Sequence, residues 1–470
     1  MSLTYKKTKL VLFILVLLSL LFSLVILAKP MQTLDIDAYS RVVNAVIIFN
    51  QNKIYNFYHD TWLPFHQSII ILSLHLYSSP YISLRVITLI SSSLSIVSLY
   101  LFTNNLIKNR LIGIIATTLF TIFPLRIFLS TITLSEPIFL FFLISSLAIL
   151  IKKNPNHFLW LLLLNIAHGI RYESWFILPF IWLFIALSYK LNLFKKILLI
   201  FFSTLVPQLW LIQQKVFYND AFYFFKVKYL YAQGKLISSY SNFNLSFTNW
   251  NNQLANTIPF FFTLIYFYGL FIYFKSNQSH NKKIISIIPI FLFFSLVIQV
   301  YLGSMEWFPA RLLYTCIALG IPIISLGLHA LFTSLKKYFP SYLLFSLTII
   351  GLYLIYPSVY KTFYNSRYMH LTGFPIEKKD VLDIISFLDK VDITQVNYYS
   401  NSSSRSFDDF IIAYYTQIPV NVLTYDINNF TPSSNPKYLS IIEKKSISTN
   451  QILDMLPEPL YQNQSYIITQ

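Results

Sequence analysis

Segment 34–66 carries two acidic residues with an evident chemical use, Asp35 and Asp37, which lie two positions apart after a first apolar run. A carboxylate near a membrane surface is a suitable general base for removing a proton from a hydroxyl or amine that attacks a sugar carbon. The pair also fits two other interpretations. Asp37 is a suitable N-cap for a helix over 38–49, and the two carboxylates together are suitable ligands for Mg²⁺ or Mn²⁺. The spacing alone leaves all three open.

The sequence around this pair has the composition of an integral membrane protein. Of its 470 residues, 56% are hydrophobic and only 11% are charged, which is typical of chains that cross a bilayer several times. The first apolar run is longer than a signal peptide requires and is predicted to be a retained span. Runs of sufficient length predict about eleven transmembrane helices, near residues 10–29, 81–103, 111–129, 134–151, 157–170, 172–189, 196–217, 257–275, 284–303, 311–333 and 341–360.

The charges between the apolar runs predict how the chain is oriented. The stretch 66–78 is too short to span and is predicted to be a re-entrant or interfacial helix. With that assignment, the lysine clusters all fall on one side of the membrane, as is typical of cytoplasmic loops. The net charge of +17 then follows from topology, and without a basic helix or a recognised module we expect no nucleic-acid binding. We expect a protein of the bacterial inner membrane with a cytoplasmic N-terminus.

Several activities are excluded by what the sequence lacks. Its one cysteine, Cys316, can form neither an intrachain disulfide nor a cysteine metal cluster. The sequence has no phosphate-binding loop of the Walker type, and its 9 glycines include no dinucleotide fingerprint. Nucleotide hydrolysis and a nucleotide-sugar donor bound in a Rossmann domain are therefore not expected.

Glu136 and Arg171 bring further charges to the ends of apolar runs on the predicted outer side. A carboxylate at the head of a span usually faces a cavity, although Glu136 also suits the first turn of a helix beside Pro137. Arg171 either pairs with Glu173 as a structural clasp or contacts a phosphate. His168, within an apolar run, is predicted to be a packing histidine.

Two more outer segments carry polar side chains. Arg311, at the outer end of a span, suits a lipid-linked phosphate or a snorkelling contact with headgroups, and Glu306 precedes it. His59, Trp62 and His66 form a polar and aromatic patch before the short helix. Nothing in the sequence fixes their geometry, so we predict no metal site there.

The last part of the chain, residues 361–470, differs in character from the membrane-spanning part, residues 1–360. The segment 378–390 has the periodicity of an amphipathic helix, and the segments 394–400, 410–416 and 419–425 have the composition of short strands. We therefore predict a small soluble α/β domain on the outer face of the membrane.

The order of several short motifs resembles a known family. The motifs are Asp-Ile-Asp-Ala-Tyr at 35–39, Trp-Leu-Pro-Phe-His at 62–66, LSEPIF at 134–139 and GIRYES at 169–174. In this order, and on one predicted membrane face, they resemble the GT-C superfamily. The closest resemblance is to the branch that includes protein O-mannosyltransferases and the aminoarabinose transferases of lipid A. The resemblance covers roughly residues 10–330.

The resemblance implies a polytopic inverting glycosyltransferase that uses a polyprenyl-phosphate sugar and acts at the outer face. Asp37 matches the family's base and Asp35 its neighbour, although Ile36 separates two acids that are often adjacent in this branch. Glu136 matches the family's second acid near the donor, and Arg171 and Arg311 fall where the family places contacts with the donor phosphate. We also expect Glu173 at the donor site. We expect the cavity or acceptor site to be lined by Tyr39, His59, Trp62, His66, Tyr172 and Glu306.

The alternative is a transporter or flippase of lipid-linked sugars. Such a protein is expected to have inverted repeats and helices interrupted by glycine or proline near the midplane. The sequence has no such repeat, and its charges collect on one face. We therefore favour the transferase, and we expect Asp37, Glu136 and Arg171 to line one outward cavity.

Overall fold

The structure is a computed structural model that describes part of the chain. The described residues are 5–27, 41, 45, 62–76, 80–187, 191–227, 229, 260–301, 310–336, 379–388, 390–391, 395–400, 420–424, 438–443, 460–462 and 466–469. They belong to two compact units. The first holds the described residues within 1–29, 55–66 and 85–372, and the second holds those within 30–54, 67–84 and 373–470.

The helices form where the sequence has long apolar runs. They are, in chain order, α1 (Tyr5–Leu27), α2 (Pro64–Leu76), α3 (Pro80–Ile107), α4 (Arg110–Thr121), α5 (Pro124–Leu129), α6 (Glu136–Leu150), α7 (His157–Ile170), a 3-10 helix (Tyr172–Ile177), α8 (Leu178–Ala186), α9 (Leu193–Ser203), α10 (Leu205–Tyr218), α11 (Phe260–Lys275), α12 (His280–Tyr301), α13 (Ala310–Leu335) and α14 (Lys379–Leu388).

Within the described part of the chain, four helices are long and apolar enough to cross a membrane: those at Lys6–Val25, Leu84–Ile107, His280–Gln299 and Leu313–Leu335. Helices α9 and α10 form a further candidate, because they are joined with a bend of 52°. Other predicted spans are occupied by shorter apolar helices, and the run 341–360 lies outside the described residues. The span number of eleven and the interfacial position of α2 stay predictions.

The predicted span 111–129 is divided into two helices. Helix α4 ends at Thr121, and α5 begins at Pro124. Proline has no backbone N–H, and its ring clashes with the carbonyl four residues earlier, so a helix usually ends before it. Proline is nevertheless favourable at the first position of the next helix. Because of this break, Arg126 lies in a separate short helix, α5.

Asparagine side chains begin three of the helices. Asn109, Asn156 and Asn192 have extended backbones, and their side-chain oxygens accept hydrogen bonds from backbone N–H groups in the first turns of α4, α7 and α9. An N-cap of this kind pairs donors that have no partner within the helix. The local sequence therefore fixes where these three helices start.

Two glycines bring α11 and α13 into backbone contact. A Cβ atom at Gly269 would lie 2.1 Å from the carbonyl oxygen of Ile323, and one at Gly327 would lie 2.5 Å from that of Ile265. Any side chain at either position would force the helices apart. Small residues allow close helix packing in this way inside membranes, where van der Waals contact drives association.

Arg126 lies entirely inside the first unit, called the helical unit below, and has no exposed surface. Its Nη1 donates to the Oγ atoms of Ser19, at 2.6 Å, and Ser92, at 3.1 Å, and its Nη2 donates to the carbonyl oxygen of Thr121, at 2.9 Å. Its guanidinium also lies 5.9 Å from the centre of the Phe120 ring. The sequence did not indicate a structural or functional role for Arg126.

The second unit contains α14, a sheet, most of α2 and the first residues of α3. The strands are β1 (Gln395–Ser400), β2 (Val420–Thr424), β3 (Tyr438–Glu443), β4 (Tyr461–Gln462) and β5 (Tyr466–Thr469), in the sheet order β2-β1-β3-β5-β4. Strand β1 pairs in parallel with β2 and β3, whereas β5 pairs antiparallel with β3 and β4. Helix α14 and strands β1 and β2 lie within the segments that were predicted from the sequence to form a helix and two strands. The segment 410–416 lies outside the described residues.

Candidate active site

Glu136 is the first residue of α6, and its side chain is fully buried. An ionised carboxylate in such a place requires a partner, because desolvation of a lone charge is costly. The partner is Arg171, whose Nη1 lies 2.7 Å from Glu136 Oε1. The position at the start of a helix also favours a negative charge, since the helix dipole is positive there.

Arg171 ends α7 with an extended backbone, φ −146° and ψ 140°. Its Nη1 also donates to Ser135 Oγ at 2.9 Å, so one edge of the guanidinium is held by the two residues at the head of α6. The other edge is held by Glu173, since Nε donates to Glu173 Oε1 at 3.0 Å and Nη2 forms an ion pair with the same oxygen. The predicted Arg171–Glu173 clasp is therefore present, and it is joined by Glu136.

The two edges of this guanidinium differ in exposure. The side chains of Arg171 and Glu173 keep 13% and 17% of their surface exposed, whereas that of Glu136 keeps none. With all three groups ionised, one cation and two anions give the cluster a net charge of −1. The pair with Glu136 is thus the fixed, buried part of the cluster, and the pair with Glu173 is its accessible part.

A second layer of hydrogen bonds holds the turn that carries Arg171. Ser174 Oγ donates to the carbonyl oxygen of Arg171 at 2.8 Å and lies 2.8 Å from His168 Nδ1. Trp175 Nε1 donates to the carbonyl oxygen of His168 at 3.1 Å. His168 is buried among these groups, as expected of a packing histidine. Ser135 and Ser174 were not predicted, because serines are common in these helices and nothing distinguishes these two.

Glu173 also lines a narrow cleft between helices. One wall is the 3-10 helix with Phe176, and the others are Leu292 and Ser295 of α12 and Thr315 of α13. The lining is mostly apolar apart from the carboxylate and the two hydroxyls. The accessible side of the cluster therefore faces a cleft between helices.

Next to the cluster, Tyr172 begins an aromatic group. Its ring stacks on Phe224 with centroids 4.7 Å apart and an angle of 2°, and it meets Trp175 edge to face at 5.0 Å. Phe224 in turn packs with Leu63 and Trp210 in a buried cluster. This cluster joins Leu63, near the start of the motif at 62–66, to the turn that carries Arg171.

The other predicted site residues are placed as follows. Trp62 is partly exposed just before α2, and His66 is fully buried near the start of that helix. Arg311 lies in the first turn of α13. Asp35, Asp37, Tyr39, His59 and Glu306 lie outside the described residues. Of the predicted cavity, the structure therefore brings together Glu136, Arg171, Glu173 and Tyr172.

No group of three or more His, Cys, Asp or Glu side chains suitable for a metal ion is present among the residues described.

Two comparisons with known proteins bear on this arrangement. Residues 69–236, which include the whole cluster around Arg171, match the family described as dolichyl-phosphate-mannose-protein mannosyltransferase. The fold is similar to crystal structures of ArnT from Cupriavidus metallidurans, in the apo state and bound to undecaprenyl phosphate. Each comparison has 12% sequence identity over 97% of both chains, with TM-scores of 0.61 and 0.62. No curated protein matches the sequence.

The fold is therefore similar to that of ArnT, and part of the chain matches a mannosyltransferase family. The resemblance to the GT-C superfamily seen in the sequence is confirmed.

Proposed function

We propose that the protein is an inverting glycosyltransferase that moves a hexosyl or pentosyl unit from a polyprenyl-phosphate-linked donor to a lipid, glycan or protein acceptor. The observation that carries the proposal is the buried Glu136–Arg171 pair with its accessible partner Glu173. These charges lie within the residues that match a mannosyltransferase family. The similarity to ArnT, which has been crystallised with undecaprenyl phosphate, supports a polyprenyl phosphate as the carrier.

In this proposal Asp37 is the general base and Asp35 its neighbour. Asp37 removes the proton from the acceptor hydroxyl or amine while that group attacks the anomeric carbon. The bond between this carbon and the donor phosphate breaks, and polyprenyl phosphate leaves with the electron pair. A single displacement of this kind inverts the anomeric centre. The lipid phosphate is the leaving group, so no nucleotide is consumed.

Arg171 is the proposed partner of the donor phosphate, and its present contacts indicate how it would bind. The net charge of −1 on the three-residue cluster opposes the approach of a phosphate. We therefore expect the phosphate to replace Glu173 at the Nε and Nη2 edge, where a guanidinium binds two oxygens side by side. The pair with Glu136 remains and keeps Arg171 oriented. Arg171 then offsets charge that develops on the leaving phosphate.

The remaining predicted residues complete the proposal. Arg311 is assigned a second contact with the donor phosphate. Residues 1–360 form the catalytic membrane part with about eleven spans, and residues 361–470 form an outer α/β domain, in a bacterial inner membrane. The proposed acceptor side and cavity wall consist of Tyr39, His59, Trp62, His66, Tyr172 and Glu306. Mg²⁺ or Mn²⁺ held by Asp35 and Asp37 is an additional hypothesis, and the proposed reaction does not require it.

The test is a transfer assay with purified protein, a membrane extract and a panel of radiolabelled polyprenyl-phosphate sugars. Wild type is expected to transfer label from one of the donors, and Asp37→Asn is expected to lose this transfer. Asp383→Asn, which changes an aspartate of α14, is the matched control and should retain it. If Asp37→Asn transfers as well as wild type, its assignment as the base is wrong. Movement of the donor across a vesicle membrane without transfer would support the flippase instead.

A further inference from the structure

Helix α10 presents two buried polar side chains whose hydrogen-bonding groups have no partner in the described structure. Trp210 keeps 3% of its surface exposed and Gln214 keeps 1%. Neither Trp210 Nε1 nor either polar atom of the Gln214 carboxamide forms a hydrogen bond with a described residue. The two residues are four positions apart, so they lie on the same face of the helix, one turn from each other.

Unpaired polar atoms are uncommon inside proteins, because each loses its hydrogen bonds to water without replacement. Three such atoms on one helix face therefore indicate that this face binds something polar. The indole N–H is a donor, and the carboxamide offers two donor hydrogens and an acceptor oxygen. Hydroxyl groups both donate and accept, so a neutral ligand with several hydroxyls matches this set.

The surroundings of Trp210 add aromatic surface to these groups. Trp210 packs with Leu63 and Phe224, and Tyr172 and Trp175 pack against the same cluster. A sugar ring has an apolar C–H face and an edge of hydroxyls, and it is bound well where aromatic faces and amide groups meet. Ligand sites generally combine such apolar walls with a few placed polar groups. Tyr172 directly follows Arg171, so the proposed donor site is next to this cluster.

Phe224 is the element that covers Trp210. It lies in a short segment after α10 that begins at Asn219, whose left-handed backbone, φ 57° and ψ 13°, ends the helix. The neighbouring Phe222 and Phe225 are 58% and 42% exposed, whereas Phe224 is 3% exposed. Phe224 is thus the aromatic residue of this segment that turns inward, and it belongs to the same buried cluster as Trp210.

We infer that Trp210 and Gln214 form a binding site for the ring hydroxyls of a sugar, which Phe224 covers in this structure. The inference rests on the proposed function for its substrate class. Two sugars carry this chemistry, namely the unit attached to the donor phosphate and a glycan of the acceptor. Both are tested below.

The experiment measures equilibrium binding to the full chain in lipid nanodiscs. The ligands are undecaprenyl phosphate, the same lipid phosphate carrying mannose, glucose or aminoarabinose, and the free methyl glycosides of these sugars. We expect wild type to bind one sugar-bearing ligand about tenfold more tightly than its sugar-free counterpart, the effect of one or two added hydrogen bonds. Tighter binding of a lipid-linked sugar than of undecaprenyl phosphate assigns the site to the donor. Binding of a free glycoside without such a gain assigns the site to the acceptor.

Two variants remove the hydrogen-bonding groups, one at nearly the same side-chain volume (Gln214→Leu) and one with an aromatic ring retained (Trp210→Phe). Gln214→Leu and Trp210→Phe are expected to lose the tenfold gain while binding undecaprenyl phosphate as wild type does. Their matched controls are Gln213→Leu, at the next position of α10, and Trp182→Phe, in α8. Phe224→Ala should strengthen sugar binding, because it removes the ring that competes for Trp210, whereas Phe222→Ala should not.

The outcomes separate this inference from the proposed function. If no sugar strengthens binding, or if Gln214→Leu and Trp210→Phe keep the gain, the inference is wrong and an ordered water is the partner of these groups. If Gln214→Leu does not fold, Trp210→Phe decides alone. If the lipid phosphates do not bind but a free glycoside binds through Gln214, the proposed donor is wrong and the sugar site stands.

Discussion

Arg126 and Arg171 both belong to the helical unit, and they differ in the partners that surround the guanidinium. Arg126 is fully buried and donates to two serine hydroxyls and a backbone carbonyl, with no ion pair to a carboxylate among the described residues. Arg171 is partly exposed and pairs with Glu136 and Glu173. The first environment carries a net positive charge, and the second carries a net charge of −1.

The difference indicates which arginine is able to change partners. The hydroxyls around Arg126 come from α1 and α3, and the serines there also bond to one another, as Ser19 does with Ser93 and Ser23 with Ser130. Such an arrangement joins helices and leaves no accessible edge. Arg171 has one buried edge and one accessible edge, and exchange of partners at the accessible edge needs no movement of a helix. Arg126 is thus a structural residue, and Arg171 is the one suited to a ligand.

The largest expected effect is that of Arg171→Met. This substitution leaves Glu136 buried without its charged partner, which typically costs about 3–5 kcal/mol of unfolding free energy, and we also expect transfer to be lost. The measurement is denaturant-induced unfolding in detergent, together with the transfer assay. Arg126→Met is the comparison and should stay within about 2 kcal/mol of wild type, because the serines retain hydroxyl partners. Equal losses in the two variants would contradict the distinction.

The double variant Glu136→Leu/Arg171→Met tests whether the loss comes from the unpaired charge. Replacement of a whole buried ion pair by apolar side chains is often neutral or stabilising. We expect the double variant to recover to within about 1 kcal/mol of wild type in unfolding free energy and to remain without transfer activity. A double variant as unstable as Arg171→Met would show that packing, and not charge, caused the loss.

A smaller effect is expected of Glu173→Gln, which changes the net charge of the cluster from −1 to zero. Affinity for undecaprenyl phosphate should rise about threefold, the scale of a partly exposed charge interaction. The gain should diminish with added salt, because salt screens exposed charges. Binding measured in nanodiscs at two salt concentrations provides the check, with Glu443→Gln in β3 as the control. Weaker binding in Glu173→Gln would mean that the phosphate does not take the place of Glu173.

An effect on stability is expected of Ser174→Ala, which removes the hydrogen bond to the carbonyl oxygen of Arg171 and the contact with His168 Nδ1. The loss of unfolding free energy should be about 1–2 kcal/mol. Ser146→Ala is the control for loss of a single hydrogen bond, since its hydroxyl donates to a buried carbonyl at 2.8 Å. Both variants should be destabilised, Ser174→Ala by more, and only Ser174→Ala should raise KM for the donor. An unchanged KM would make Ser174 a purely structural residue.

The sequence predicted the membrane fold because long apolar runs have few alternatives to helices. It did not predict where runs divide. The break before Pro124 was missed because the segment 111–129 is apolar enough to be one span, although Pro124 and Arg126 within it were available as signals. The pairing of strands, including β3 to β5, depends on contacts between distant segments and was not accessible from local pattern.

The candidate site was predicted in part for a physical reason. Glu136 and Arg171 stand out in an apolar sequence because charges there require partners, and the structure shows each as the partner of the other. Trp210 and Gln214 were missed because neither residue type is unusual in the second half of an apolar span. Their importance appears only when burial is known. The roles of Asp35 and Asp37 stay predictions, since both residues lie outside the described part of the chain.

The contact of Gly269 and Gly327 has a mechanical consequence for the cleft beside Glu173. With no side chain between them, the backbones of α11 and α13 are in direct contact. We therefore expect these two helices to move together, and α13 carries the Thr315 wall of the cleft. The opposite wall, α12, has only 33% of its apolar span buried. We therefore expect a wider opening at Glu173 to come from displacement of α12, while α13 stays in place.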